Sequence, residues 1–401
     1  MTRWLSIVGI GDDGPSGLSE MAAALIDTAE LLVGGARHLA MIPAGSAERL
    51  VWDTPLTATI PRLAANRGRR VTVLASGDPL WYGVGALLCR HFAPEEMTIL
   101  PQPSAFNLAA ARLAWPLAEC ATLSLHGRPL DVLRLHLAPG RHVLALSADG
   151  STPRAAAELL TATGWGPSRM TVFEHLGGAR EAVSCAEARE WGERRTADLN
   201  TIAIECRPGP GARPWSRLAG LPDDAFEHDG QLTKREVRAV TLAALAPLPG
   251  ETLWDVGAGC GSIAIEWLRG DGGSAIAIER DPLRTAIIAR NAAGLGVPGL
   301  RIVNAAAPGA FAGLPRPDAV FIGGGVGGGE LLPAAWRVLR PGGRLVANTV
   351  SIAGERALLD WQARFGGAVT RIAVSRAEPL GGLHGWRPLM PVTQLAAGKP
   401  G

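Results

Sequence analysis

Short apolar runs of strand length alternate with alanine- and leucine-rich helical stretches over the first hundred residues. The runs are WLSIVGI (4–10), LLVG (31–34), RVTVLASG (70–77) and MTILPQ (97–102), with helical stretches such as 18–29 and 84–92 between them. This alternation predicts a parallel α/β sheet. A second sheet is expected from CATLSLHG (120–127), RHVLALS (141–147), RMTVFEHLG (169–177) and NTIAIEC (200–206). Two lobes of roughly 100 residues each would leave a cleft between them.

The periodicity lapses in RPGPGARPWSRLAGLPDD (207–224), which is rich in Pro, Gly and Arg, and it resumes as a helix-like stretch near Leu232. Residues 207–222 therefore read as a linker between a domain at 1–206 and another at 223–401. Beyond it, strands are expected at 252–256, 274–279, 300–304, 318–322 and 343–349, with helices at 282–292 and 329–339. The halves show no internal repeat, so they read as two unrelated domains. A 401-residue chain exceeds what one core usually holds.

Composition narrows the classes. Apolar residues make up 47% and charged residues 19%, enough for substantial cores. A net charge of +2 argues against reliance on a nucleic-acid or membrane field. Lys234 and Lys399 are the only lysines among 39 basic residues. Five scattered cysteines without a C-x-x-C pair suggest a reducing compartment rather than a disulfide or zinc framework. No apolar stretch approaches 18 residues and the start lacks a signal-peptide pattern, so a soluble cytoplasmic protein is expected. The histidines show no metal-ligand spacing, and no metal is expected.

Residues 253–267, LWDVGAGCGSIAIEW, read as a strand, a glycine turn and a helix start. Such a turn aims free backbone N–H groups and the positive helix end at a ligand. The dinucleotide pattern G-x-G-x-x-G/A fails at Ser262, whereas Gly257, Gly259 and Gly261 give the G-x-G-x-G of S-adenosylmethionine (SAM) methyltransferases. Glu279 ends the next expected strand, where a carboxylate can accept from both ribose hydroxyls. Residues 223–350 resemble the decarboxylating precorrin methyltransferase domain of cobalamin biosynthesis, a class I methyltransferase. The matching stretches are LTKREVRA (232–239), DVGAGCGSIAIE (255–266), AIERDP (277–282), RNAAGLGV (290–297) and VFIGGGVGG (320–328). The resemblance implies that Thr233 and the loop Gly257–Ala258–Gly259–Cys260–Gly261 contact SAM, that Glu279 holds its ribose, and that Ala306 and Ala307 bracket the adenine. The family usually carries an aspartate where VNAAAPGAF has Ala306, and losing its hydrogen bond to the adenine costs about 1 kcal/mol.

The earlier turn VGIGDDGPSGLS is neither a dinucleotide fingerprint nor a P-loop. With LASGDPLWYGVG (74–85), PQPSAFNLAAARL (101–113), SLHGRP (124–129) and IAIE (202–205), it resembles the tetrapyrrole methylases, or class III methyltransferases, over nearly all of 4–206. The best match is the cobalamin-pathway branch acting on precorrin at carbon 5. That resemblance implies SAM bound among Gly77, Asp78, Ser104, Ala105 and Ala203, with the Gly9–Gly11 loop on the tetrapyrrole side.

The two resemblances together imply an α/β chain, a two-lobed tetrapyrrole methylase fold followed by a Rossmann-like class I SAM methyltransferase fold. They imply a bifunctional enzyme that binds one SAM per domain and methylates precorrin-6B at carbons 5 and 15. It would also decarboxylate the ring C acetate, giving precorrin-8X. Self-association as a homo-oligomer is also implied, with no nucleic-acid or membrane partner. Two other readings stay open: a different acceptor such as RNA, or one domain serving as a non-catalytic scaffold.

The meso carbons are enamine-like nucleophiles, so alignment and a dry pocket suffice for methyl transfer. Decarboxylation additionally needs electron flow into the macrocycle and proton handling. Glu266 is the candidate for the proton, or else a first-turn acid favoured by the helix dipole. Gln231, Lys234, Arg235 and Arg238 could grip substrate carboxylates, Arg238 equally belonging to a solvated face. Asp78, Tyr82, His126 and Arg128 flank the expected N-terminal cleft; Asp78 could instead be an Asx-type cap and His126 a buried histidine. Residues 370–401 carry no functional reading.

Overall fold

A computed structural model describes residues 3–401, in which the chain divides into two units. The first holds residues up to Leu130 with His136–Arg213, and the second holds Asp131–Leu135 with Pro214–Gly401.

The first lobe of unit 1 contains β1 (Leu5–Ile10), α1 (Glu20–Asp27), β2 (Leu31–Gly34), α2 (Ala36–Met41), β3 (Glu48–Val51), α3 (Ile60–Ala64), β4 (Val71–Ser76), α4 (Val84–Leu88) and β5 (Met97–Leu100). Its five strands are all parallel, in the order β3-β2-β4-β1-β5. Leu5, Ile7 and Val73 pack on one face while Val8, Ile10 and Leu74 pack on the other, the period-2 alternation of a sheet covered on both sides. Gly9 permits the closest approach at the strand ends. A Cβ there would lie 2.0 Å from the Gly77 carbonyl oxygen and 2.7 Å from the Gln102 nitrogen.

After α5 (Ala105–Leu113), the second lobe has β6 (Ala121–Ser124), β7 (His142–Leu146), α6 (Thr152–Ala162), β8 (Arg169–Glu174), β9 (Ala182–Glu187) and β10 (Asn200–Glu205). Its sheet is mixed, ordered β6-β7-β10-β8-β9, with only β6 and β7 parallel. The edge strands β3 and β9 were not among the expected runs. Both are rich in exposed positions, so neither shows the apolar run that marks a central strand.

Unit 2 follows the second alternation closely, with α7 (Arg235–Leu245), β11 (Thr252–Val256), α8 (Ser262–Arg269), β12 (Ser274–Glu279), α9 (Pro282–Gly294), β13 (Arg301–Asn304), β14 (Ala319–Ile322), α10 (Leu331–Val338) and β15 (Arg344–Thr349). Then come α11 (Ile352–Phe365), β16 (Ala368–Ile372), a hairpin of β17 (Ser375–Leu380) and β18 (Leu383–Pro388), and β19 (Val392–Gly398). The seven-stranded sheet runs β13-β12-β11-β14-β15-β19-β16, parallel through β15, with β19 inserted antiparallel beside it. Leu253, Ala277 and Phe321 face one core and Trp254, Ile276 and Val320 the other. The tail from 370 on is thus part of the sheet and of the hairpin beside it.

The stretch expected as a linker folds onto unit 2 from Pro214. Leu221 is buried in that core with Trp215 packed against it, while Leu218 between them stays exposed.

Candidate functional site

The carboxyl ends of the parallel strands in unit 2 border a cavity of about 700 Å³, the usual ligand position in an open α/β sheet. Its walls include Thr233 and Lys234 ahead of α7, Gly257–Cys260 after β11, Glu279 at the end of β12, and Ala305–Pro308 after β13. Gly257, Gly259 and Gly261 sit at φ values of 71°, 60° and 80°, a backbone that L side chains rarely adopt. The N–H groups of Gly257 and Ala258 donate to the Ile278 carbonyl at 2.9 and 3.2 Å, tying the loop to β12. From below, Asn291 donates to the Cys260 carbonyl at 3.0 Å.

Glu279 is 5% exposed. Its Oε2 accepts from the Gly259 N–H at 2.9 Å and its Oε1 from the Asp281 N–H at 3.0 Å, leaving acceptor capacity on both oxygens. Asp255, behind the loop, accepts from the Ala264 N–H at 3.0 Å through Oδ2, while its buried Oδ1 has no hydrogen-bond partner. Burial pushes its carboxyl up to about 7, the Ala264 N–H opposing and the Glu279 charge adding to the rise. A glycine-rich loop, a carboxylate at the second strand end and small apolar walls at Ile278, Ala306 and Ala307 fit SAM. Among the described residues, no group of three or more His, Cys, Asp or Glu side chains is placed to hold a metal ion. Among them, too, no helix is long and apolar enough to cross a membrane.

The expected residues divide into those at the cavity and those behind it. Thr233, Gly257, Ala258, Gly259, Cys260, Glu279, Ala306, Ala307, Gln231 and Lys234 all line it. Gly261 does not; a Cβ there would meet Ile288 at 2.9 Å, so this glycine permits packing of the loop on α9. Arg235 is exposed and outside the lining, and its backbone N–H donates to Asp223.

Glu266 is corrected by the structure. Its carboxylate is 4% exposed, away from the cavity lining, and accepts from the N–H groups of Gly220 and Leu221 at 2.6 and 3.0 Å and from Arg238 Nε at 2.6 Å. A carboxylate so fully engaged, and absent from the cavity lining, does not reach a substrate there. Arg238 likewise neither reaches the cavity nor faces solvent. It is 0% exposed, stacks over Phe226 at 4.8 Å, and donates to the Leu221 and Thr233 carbonyls. The pair fastens the segment that presents Thr233 and Lys234. Sequence reasoning missed Asn348 and the tail residues Ile372, Val374, Leu389, Met390 and Val392, which also line the cavity. Only the polar Asn-Thr closing the apolar run at 343–349 hinted at the first.

In unit 1, Gly77 (φ 54°) follows β4 and accepts from the Gln102 N–H at 3.1 Å. Ser104 caps α5 against Asn107, and a Cβ on Gly77 would come within 2.9 Å of the Ser104 Cα, so Gly77, Ser104 and Ala105 are brought together. Asp78 accepts from the Leu80 N–H at 2.8 Å, the Asx-type turn. Ala203 lies mid-strand in β10, paired with Leu144 and Thr171 on either side and 0% exposed, so it has no free surface to offer a cofactor. His126 is exposed, not buried. Tyr82 donates to the Thr122 carbonyl at 3.0 Å under the Arg128 guanidinium. A cluster unforeseen in the sequence joins the two lobes: Asp12 pairs with Arg37 at 2.8 Å and with His175 at 3.1 Å, and His38 meets Ser76 at 2.9 Å. Burial, with the Arg37 charge, holds His38 down to about 4.

Residues 5–190 match the family described as Tetrapyrrole (Corrin/Porphyrin) Methylases, and 224–399 the one described as Precorrin methyltransferase domain. A Sinorhizobium protein named precorrin-6Y C(5,15)-methyltransferase [decarboxylating] is 51% identical over 98% of this chain and 96% of its own. One of the same name from Mycobacterium tuberculosis is 42% identical over 98% and 99%. The crystal structure of the C-terminal domain of precorrin-6Y C5,15-methyltransferase from Rhodobacter capsulatus is 46% identical, covering 46% of this chain and all of that one, with a TM-score of 0.44.

Proposed function

As the chain belongs to the precorrin-6Y C(5,15)-methyltransferase (decarboxylating) family, we propose that it is a bifunctional SAM-dependent enzyme of cobalamin biosynthesis. It methylates precorrin-6B at carbons 5 and 15 and removes the ring C acetate carboxyl to give precorrin-8X. Unit 1 carries out the carbon-5 step, and unit 2 the carbon-15 step with decarboxylation. Each unit binds one SAM and neither uses a metal. The enzyme acts in the cytoplasm and self-associates, with no nucleic-acid or membrane partner, readings that rest on the resemblance and the near-neutral charge.

The observation that carries the assignment for unit 2 is the cavity itself. Glu279 and the glycine loop line it together, and apolar residues of the tail extend its wall, which supports SAM at the loop and the acceptor beside it. Bound SAM supplies an electrophilic methyl group on its sulfonium. The protein's share is to hold the acceptor in line and exclude water. The Glu279 carboxylate can accept from ribose hydroxyls while it keeps the Gly259 N–H in place. Thr233 and Lys234 line the cavity ahead of α7, with Lys234 and Gln231 available to substrate carboxylates. For unit 1, we assign the cofactor to Gly77, Asp78, Ser104 and Ala105, supported by the close approach of those turns.

Incubating the full chain with SAM and precorrin-6B and weighing the product tests the reading. Two added methyl groups with one carbon dioxide lost are expected. An unchanged substrate in the presence of bound SAM would discard the acceptor.

A further inference from the structure

We propose that Asn348 is the residue that orients the acceptor in the cavity of unit 2, by donating a hydrogen bond to the ring C acetate carboxylate. Thr241 and Gln394 act as positioning residues that fix its amide. The inference rests on the functional reading above and adds a residue to it.

Asn348 lies near the end of β15, lines the cavity and is 7% exposed. Its Nδ2 donates to Thr241 Oγ1 at 2.9 Å, and its Oδ1 accepts from Gln394 Nε2 at 2.9 Å. Gln394 Nε2 also donates to Thr241 Oγ1 at 3.0 Å. The Thr241 hydroxyl gives its one hydrogen to the Val237 carbonyl at 2.7 Å. Its oxygen can therefore only accept, so both amides must turn their NH₂ groups toward it. The orientation of Asn348 is set by this bonding logic, since the alternative amide flip would place two acceptors together.

An amide offers two N–H groups and two lone pairs. The network uses one of each on Asn348, leaving one N–H and one lone pair of this cavity-lining residue unused. The three members come from α7, β15 and β19, and Thr241 and Gln394 are 0% and 4% exposed, so the arrangement is rigidly supported. A buried polar network of this kind is costly unless satisfied, and where complete it fixes one geometry.

Position supplies the ligand. β15 lies two strands from β11, on the side away from β12, roughly 10 Å across the sheet from the strand that carries the glycine loop. The lining contributed by β15 and the tail is mostly apolar, with Val350, Ile372, Val374 and Val392, alongside Thr349 next to Asn348, and Glu330 lines the cavity from the start of α10. The cations Lys234, Arg280 and Arg284 also line the cavity but belong to the α7, β12 and α9 segments. A neutral N–H in an apolar wall can place a carboxylate without the charge stabilisation that would oppose its departure. In the step itself the bond from the methylene to the carboxyl carbon breaks and carbon dioxide leaves. The electron pair of that bond passes into the conjugated macrocycle, leaving an exocyclic methylene, and it returns to that carbon to bond a proton from solvent, giving a methyl group. Asn348 gains and loses no proton.

The test uses the full chain with SAM and precorrin-6B. Asn348→Leu should lower carbon dioxide release by about tenfold, the effect of losing one oriented hydrogen bond, with SAM affinity within about twofold of wild type. Gln394→Leu, which never touches the cavity, should lower it by about threefold through a raised KM for precorrin as the amide loses its clamp. Asn348→Ser gives a smaller polar substitute with the same expectation, should the leucine variant fail to fold. Release unimpaired in the Asn348 variants, or SAM affinity falling in proportion to activity, would overturn the inference while leaving the function standing. A wild-type chain that binds SAM but leaves precorrin-6B unconsumed would overturn both.

Discussion

Removing the Glu266 carboxylate separates a structural role from a chemical one. In Glu266→Ala, Arg238 stays at 0% exposure and loses its 2.6 Å partner, while the N–H groups of Gly220 and Leu221 lose their acceptor. Breaking a buried ion pair from one side costs about 3–5 kcal/mol. Asp223, 3.3 Å from the Arg238 guanidinium, remains as a second partner, which places the expectation near the lower end, about 3 kcal/mol. For a unit of this size that corresponds to a fall in melting temperature of about 6–12 °C. Calorimetric unfolding of the full chain, with and without SAM, would register it as a shift of the unit 2 transition. The kinetic companion is Glu266→Gln, assayed well below its melting point, where carbon dioxide release per turnover should stay within about threefold of wild type, as befits a group that touches no reacting atom. A Gln variant with wild-type melting behaviour and a collapse of decarboxylation by two orders of magnitude or more, about 3 kcal/mol in the barrier, would refute the structural role.

Three further outcomes are expected. Asp255 has its carboxyl raised from 3.8 to about 7 by burial, so between those values the folded chain binds a proton the unfolded chain lacks. The stability of unit 2 should then fall as pH rises from about 4 to about 7, and Asp255→Asn should flatten that slope and melt higher than wild type at pH 8. Ala306→Asp, on the cavity wall where the proposed reading puts the adenine, should tighten SAM binding to unit 2 by about fivefold in calorimetry, the worth of one hydrogen bond of about 1 kcal/mol. Arg376 anchors the hairpin through Asp223 at 2.9 Å and Glu236 at 2.6 Å. Because Val374 and Leu389 flank that hairpin and line the cavity, Arg376→Ala should raise KM for precorrin in steady-state assays with little change in kcat.

The two glycine turns and nearly all central strands were legible because their signals are local. An apolar run needs only its own residues to declare itself, and a loop that works through backbone needs only its glycines. The polar edge strands β3 and β9 and the tail hairpin β17–β18 carry no such run, and their place is decided by neighbours elsewhere in the chain. Glu266 was misread for the same reason. A carboxylate in the first turns of a helix looks alike whether it meets solvent, substrate or a buried guanidinium, and its partner Arg238 lies 28 positions away. Asn348 was hinted at only by its polarity at a strand end, because the geometry of its network depends on Thr241, 107 residues before it, and on Gln394, which lies 153 residues beyond Thr241. Ala203 shows the converse limit. A short strand motif can resemble a cofactor wall while the sheet consumes both of its edges.

The central claim is that the cavity bounded by Glu279 and the glycine loop carries out carbon-15 methylation and decarboxylation together. Its most direct test follows ¹³C-methyl SAM and precorrin-6B with the full chain and with Glu279→Gln, reading methyl positions by NMR and carbon dioxide by mass spectrometry. The account predicts labelled methyls at carbons 5 and 15 and one carbon dioxide from wild type, and a parallel fall of the carbon-15 label and carbon dioxide in the variant. Carbon dioxide release that persists undiminished while the carbon-15 label falls, or a variant that matches wild type in both, would contradict it.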